Sequence, residues 1–352
     1  MTTKAFAGFV LAAVFSVNLG VAQSAPEEEK KIVSLIQEAY IGGAYNDVDT
    51  KAMSQGFHEN CVIQDLNSRG LATMSLKQWL IVLDRQKWIL KDRWNGRTTA
   101  DIKVLGLEGR AAVARVEIYN DNVHDLTDFL SLYRFEDGWK ITGRIFARHK
   151  APPQVHQKRQ DEWEKAISER MQPPEKVMDA IGLRPGMVVG EIGAGNGRYT
   201  VHLAKRVGET GKIFANDINA YGLSRIRERC QRDKILNVET ILGKEDDPLF
   251  PKQSLDMAIM IWVYHELDAP PVTLLKNLKP SLKAGALLVL IEPTDTEINN
   301  ERAAFGLPAE SGRPATLLER IKKEAGEAGF ELFRVDTFLP LDYICFLKMK
   351  TD

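Results

Sequence analysis

The run Met187-Val188-Val189-Gly190-Glu191-Ile192-Gly193-Ala194-Gly195-Asn196-Gly197 constrains the fold more than any other stretch of this chain. An apolar strand ends on a carboxylate and passes into glycines at every second position. The stretch from Arg198 to Val207 then carries apolar residues at helical spacing. Glycine permits positive φ at a strand-to-helix turn and lets the backbone come within contact distance of a ligand. Together these features read as the opening half of a doubly wound α/β unit with a nucleotide-type cofactor at its turn. The dinucleotide fingerprint needs a third small residue where this chain has Arg198, and the spacing here is G-x-G-x-G instead.

The residues that follow extend the pattern. Lys212 to Asp217 reads as a second strand ending in an acid, 20 positions after Gly197, where a carboxylate serves ribose hydroxyls in either cofactor class. Asn237 to Leu242 is a third strand, followed by Gly243-Lys244-Glu245-Asp246-Asp247. Leu255 to Ile261 is a fourth, continuously apolar as a parallel strand covered on both faces should be. Beyond it lie Trp262, which reads as core packing, and Tyr264-His265-Glu266. A helix is expected over Leu274 to Leu282, a turn at Lys283-Ala284-Gly285, and a fifth strand over Ala286 to Ile291, ending in Glu292-Pro293. Leu332 to Phe338 and Tyr343 to Met349 supply an antiparallel pair at the sheet edge.

With Glu191 two residues ahead of the first glycine, this turn resembles the first motif of class I S-adenosylmethionine-dependent methyltransferases. The passage LKPSLKAGALLVLIEP resembles that family's step into its fifth strand, although Ala284 replaces the usual first glycine. The lead-in from Pro174 through Val189, together with Val263-Tyr264-His265-Glu266-Leu267, resembles one subgroup of it. The resemblance implies a seven-stranded, Rossmann-like α/β domain whose glycine loop passes under the methionine and ribose moieties of S-adenosyl-L-methionine. It implies cofactor contacts at Glu191, Gly193, Ala194, Gly195, Asn196, Gly197, Asp217 and Ile218. An acidic residue on the adenine amine falls to Glu245 or Asp246, because Lys244 occupies the usual aspartate position. In the subgroup, a preceding helix bearing the counterpart of Trp163 covers the cofactor.

Methyl transfer from a sulfonium is an in-line displacement, assisted by aligning the nucleophile and removing its proton. His265 is the candidate base, with an ordinary pKa of about 6.5 and a place at the carboxyl edge where ligands bind in open sheets. Tyr264 and Glu266 are its candidate companions. The alternative is that His265 and Glu266 stabilise the junction while Asp268 caps the next helix. Glu292 is expected to face the pocket, and Thr294 to Pro314 has the composition of a substrate lid. No Cys/His cluster has metal spacing. A non-catalytic ligand-binding protein and a nicotinamide-dependent oxidoreductase are the alternatives; intact cofactor residues weigh against the first and Arg198 against the second.

At 352 residues the chain is long enough for two domains. Net charge is -1 with both signs interspersed, which recommends a small-molecule or protein substrate over nucleic acid, and a small-molecule methyl acceptor is the expectation taken. Residues 1–25 have the shape of a secretory signal, with Lys4, an apolar run from Ala5 to Leu19, and small residues at a cleavage site after Ala22 or Ser24. This predicts an exported protein, periplasmic or extracellular, with no stable span after cleavage; the alternative is an uncleaved signal that anchors it. Three widely spaced cysteines, Cys61, Cys230 and Cys345, suit separate thiols.

Residues 26–148 form a second module. Helices are expected over Glu27 to Tyr40 and Leu76 to Leu90, then strands over Thr98 to Leu105, Ala111 to Tyr119, Thr127 to Phe135 and Trp139 to Ala147. Helices followed by a meander ending in DGWKITGRIFARH resemble the nuclear transport factor 2-like fold, in its lumazine-binding-like branch. That implies an α+β cone whose pocket binds an apolar ligand or whose surface dimerises, with His58, Asp65, Asp128 and Arg144 as candidate polar groups. Residues 149–160, containing Pro152-Pro153, are expected as an extended linker to a methyltransferase domain over 161–352.

Overall fold

The computed structural model describes residues 21–67, 70–90, 98–267, 271–296 and 316–350. It divides into two compact units, residues 1–63 with 96–149 and residues 64–95 with 150–352. Most of the expected signal lies outside the described residues, as do Asp268 and the stretch 297–315.

In the first unit α1 (Val21–Leu35) continues into a π-helical stretch, Ile36–Asn46, and is followed by α2 (Thr50–Gly56). A six-stranded sheet follows, of β1 (Phe57–Asn67), β2 (Gly70–Ser75), β3 (Thr98–Glu108), β4 (Ala111–Asn120), β5 (Val123–Phe135) and β6 (Gly138–Arg148) in the order β2-β1-β6-β5-β4-β3, with β2 and the end of β1 from Gln64 falling in the second unit. β3 to β6 form an antiparallel meander. Along β4, Ala112, Ala114, Val116 and Ile118 are buried while Val113 and Arg115 are exposed, the period of two that a half-covered strand requires. The helix ends earlier than Tyr40, because the apolar stripe it begins is carried on by the π-helical turns, where Ile36, Ala39 and Tyr40 stay buried.

The second unit takes in α3 (Leu76–Leu90), with the bounds that its apolar spacing predicts. Buried Ile89 packs with Ala166, Ile167 and Met171 of the long helix α4 (Pro153–Arg170) and its end. α4 occupies most of the stretch expected as an extended spacer. Pro153 explains the difference: proline at the first turn of a helix has the required φ and lacks only an N–H that would have no helical partner.

After α5 (Pro174–Ala180) the chain alternates β7 (Val188–Ile192), α6 (Thr200–Val207), β8 (Lys212–Asp217), α7 (Ala220–Asp233), β9 (Val238–Leu242), β10 (Leu255–Ile261), α8 (Val272–Leu278), β11 (Leu282–Pro293), α9 (Leu317–Glu327), β12 (Phe330–Asp336) and β13 (Asp342–Met349). The seven strands lie in the order β12-β13-β11-β10-β7-β8-β9, parallel from β11 through β9 and antiparallel at β13 and β12. The helix expected to run to Leu282 stops at Leu278, where Lys279-Pro280-Ser281 makes a single tighter turn. β11 starts early because Leu282 pairs with Leu255 across an irregularity that absorbs the Lys283-Ala284-Gly285 turn. Its middle is buried on both faces, between a cluster around Leu288 and Leu290 and another around Val289 and Ile291.

Candidate functional site

Strand order reverses between β7 and β10, and a cleft of about 860 Å³ opens beyond their carboxyl ends. The glycine turn forms its floor. Gly193, Gly195 and Gly197 all have positive φ, at 70°, 55° and 79°. A Cβ at Gly193 would lie 2.5 Å from Val263 Cγ2, and one at Gly197 2.8 Å from Ile226 Cγ1, so these two glycines let β10's end and α7 close on the turn. At Gly195 a Cβ would meet nothing within 4 Å among the described residues, which leaves that backbone open to a ligand.

Asp217, at the end of β8, accepts from Gly195 N at 2.7 Å through Oδ2 and from Asn219 N at 2.8 Å through Oδ1. One carboxylate thus fixes the glycine turn and the start of α7 while still lining the cleft. Its neighbour Asn216 is buried and donates to the Pro248 carbonyl at 3.0 Å, which holds the loop carrying Lys244, Glu245 and Asp246 against the same wall. Ile218 is 59% exposed there.

Glu191 lies beneath the turn, 3% exposed, and accepts from Thr200 Oγ1. Burial pushes its carboxyl up to about 7, against the pull of the Thr200 hydroxyl and the Arg198 charge. Arg198 reaches the cleft wall and donates through Nη2 to Gln172 Oε1 at 2.8 Å. Gln172 Nε2 in turn donates to Asp342 Oδ2, and Trp262 Nε1 to Asp342 Oδ1, both at 2.9 Å. Trp262 has φ of 58°, a costly left-handed conformation for a large side chain. It lines the cleft under the Arg198 guanidinium, 4.9 Å from ring centre to cation.

The turn after β10 is organised by Glu292, which is fully buried. Its Oε1 accepts from Val263 N at 3.1 Å and Tyr264 N at 2.9 Å, and its Oε2 from His265 N at 3.2 Å. His265 Nδ1 lies 2.7 Å from Oε2, where an Nδ1–H tautomer donates to it. Tyr264 is fully buried, and its hydroxyl donates to Glu324 Oε2 on α9 at 2.7 Å; burial and this acceptor raise its pKa.

The cleft therefore gathers Glu191, Gly193, Ala194, Gly195, Asn196, Asp217, Ile218, Glu245, Asp246 and Glu266. Gly197 sits behind the turn, and Tyr264 and His265 are not among the cleft's walls. Trp262 combines packing with a place on the wall, and Glu292 is committed to the turn instead of facing the pocket. Sequence reasoning missed Gln172 and Asp342, whose partners are 170 residues apart, and treated Arg198 only as a discriminator between motifs. Trp163 and Ile167 of α4 do line the cleft. In the first unit, buried Asp128 accepts from Tyr40 and from Arg144 Nε at 2.8 Å, whereas His58 stacks on Phe135; Asp65 lies on β1 past the end of that unit's first segment.

Residues 189–285 match the family described as a methyltransferase domain, and residues 27–147 match a lumazine-binding family. Over 168 residues the chain is 32% identical to a hybrid PKS-NRPS synthetase of Penicillium oxalicum, covering 43% of this chain and 4% of that protein. It is 27% identical over 173 residues to a ubiquinone/menaquinone biosynthesis C-methyltransferase of Hydrogenovibrio crunogenus, covering 43% of this chain and 68% of the relative. Among solved structures it is similar to a SAM-dependent methyltransferase from Aquifex aeolicus, with 27% identity, a TM-score of 0.46, and coverage of 56% of this chain and 98% of that one.

Proposed function

We propose, for a chain whose carboxyl-terminal domain belongs to the class I S-adenosylmethionine-dependent methyltransferases and whose amino-terminal domain has the nuclear transport factor 2-like fold, that it methylates a small-molecule acceptor. The observation that carries this reading is the convergence of an open glycine backbone at Gly195, the Asp217 carboxylate and the Glu245-Asp246 loop on one cleft. Those residues fit S-adenosyl-L-methionine, whose ribose hydroxyls and amine need acceptors and whose sulfonium portion needs close backbone.

Bound there, the cofactor supplies an activated methyl group. Asp217 keeps lone pairs for two vicinal hydroxyls, since each of its oxygens takes one backbone donor. Ile218 offers an apolar face, and Glu245 or Asp246 accepts from an exocyclic amine. Trp163 and Ile167 exclude water from above. Glu266 is the acid of the post-β10 turn that lines the cleft, so it is the group placed to take an acceptor's proton. His265, held by Glu292, positions that turn. The C-methyltransferase names among the relatives make carbon acceptors the first to assay.

Calorimetry tests the proposal directly. The chain should bind S-adenosylhomocysteine and not NADH, and Asp217→Ala should weaken that binding roughly ten- to a hundredfold, the worth of hydrogen bonds to a charged acceptor. Unaltered affinity in that variant would sink the ribose assignment. We also infer export, from the apolar leader; amino-terminal sequencing of protein from the native host should find Gln23 or Ala25 first, and an intact Met1 would overturn it.

A further inference from the structure

We propose that Arg198 is the seat of a ligand carboxylate in the cleft. Among the described residues its buried Nη1 has no hydrogen-bond partner, while Nη2 is committed to Gln172. A guanidinium donor left unpaired away from water is costly, and such a group is retained where something else completes it.

Neighbouring carboxylates do not complete it. Glu164 accepts from Arg229 Nη2 at both oxygens, at 2.9 and 2.8 Å, and from Gln160 Nε2 at 3.0 Å. Asp342 is divided between Trp262 and Gln172, and Glu191 accepts from Thr200. Among the described residues none of these acids is hydrogen-bonded to Arg198, although all three lie close enough to act on its charge. The side chain is nonetheless held. The Gln172–Asp342–Trp262 chain anchors it from one side, and the Tyr199 and Trp262 rings lie 5.3 and 4.9 Å from the cation. Trp262 accepts a left-handed backbone to reach this position. An immobilised guanidinium on the cleft wall with one buried donor unfilled suits a carboxylate better than a neutral group, because the bond is charge-assisted and planar.

Two sources could bring that carboxylate: the amino-acid tail of the cofactor, in which case the inference rests on the function proposed above, or an acidic acceptor. Arg198 directly follows the glycine turn, which favours the tail. The full chain and Arg198→Met are titrated calorimetrically with S-adenosylhomocysteine, and with 5′-methylthioadenosine, which keeps the nucleoside thioether but lacks the tail. Thermal melts verify that the variant is folded. The expected result is a ten- to hundredfold loss for S-adenosylhomocysteine with methylthioadenosine unchanged, and partial recovery in Arg198→Lys. If S-adenosylhomocysteine is unaffected but benzoate binds the saturated native protein and not the variant, the carboxylate belongs to the acceptor. Equal weakening of both nucleosides, or no dependence of any probe on Arg198, overturns the seat. A native chain that binds neither nucleoside instead removes the cofactor reading, and the seat then stands or falls on Arg198-dependent benzoate binding.

Discussion

Glu292 is a carboxylate without access to water that accepts from three successive amides and an imidazole. Removing one of those donors leaves part of a buried charge uncompensated, which costs about 1–3 kcal/mol. His265→Ala should therefore lower the melting temperature while leaving S-adenosylhomocysteine affinity close to native. Glu266→Gln should do the reverse, leaving stability alone and, once an acceptor is known, slowing turnover by roughly 10²- to 10⁴-fold if Glu266 removes the proton. A stable, inactive His265→Ala would return the base to His265. The motif around His265 was legible in the sequence, but its partner was not, because Glu292 comes from a strand end 27 residues away and local spacing carries no sign of that bond.

At the scale of elements, the glycine turn contains two kinds of glycine. Gly193 and Gly197 combine positive φ with a neighbour inside 3 Å of any Cβ, whereas Gly195 has the φ alone. Gly193→Ala and Gly197→Ala should each cost about 1–3 kcal/mol from overpacking on top of the backbone strain that Gly195→Ala shares. Urea midpoints check the order, and a Gly195→Ala that is the least stable of the three would contradict it. Legibility follows a similar physical line. β8 and β10 have the bounds read from sequence, because each is built on a buried apolar stretch, Ile213 to Ala215 and Met257 to Ile261, as strands covered on both faces require. β1 was not read at all. Its exposed Glu59 and Asn60 and half-buried Gln64 and Asp65 interrupt the alternation, and its order comes from neighbouring strands. The spacer expected before α4 failed for a third reason, since a proline pair was taken as extended where the second proline opens a helix.

Over the whole molecule, buried acids set how stability varies with pH. Burial raises Glu191 from 4.5 to about 7 and Asp342 from 3.8 to about 6. An acid whose folded pKa is raised binds its proton more tightly when folded. Its stabilisation is complete below the unfolded pKa and is lost as pH rises through the folded one. For Glu191 the window runs from about pH 4.5 to 7 and is worth about 3 kcal/mol. Glu191→Gln should flatten the stability curve over that window; an unchanged slope in denaturant titrations at several pH values would count against a shifted Glu191.

The second unit is discontinuous in sequence: the chain leaves one unit for the other after residues 63, 95 and 149. Severing the peptide near residue 150 would leave α3, and with it Ile89, on the amino-terminal fragment, stripping the cluster behind Trp163 of a buried member. A gene truncated there has lost a buried member of that cluster without losing any residue of the methyltransferase match. Limited proteolysis at this point should yield a nicked protein whose pieces stay associated through α3, while the second unit of a recombinant fragment starting at residue 150 should melt lower than it does in the intact chain. The boundary at which such a protein can be cut, fused or shuffled is accordingly set by α3, and no single position in the chain supplies it.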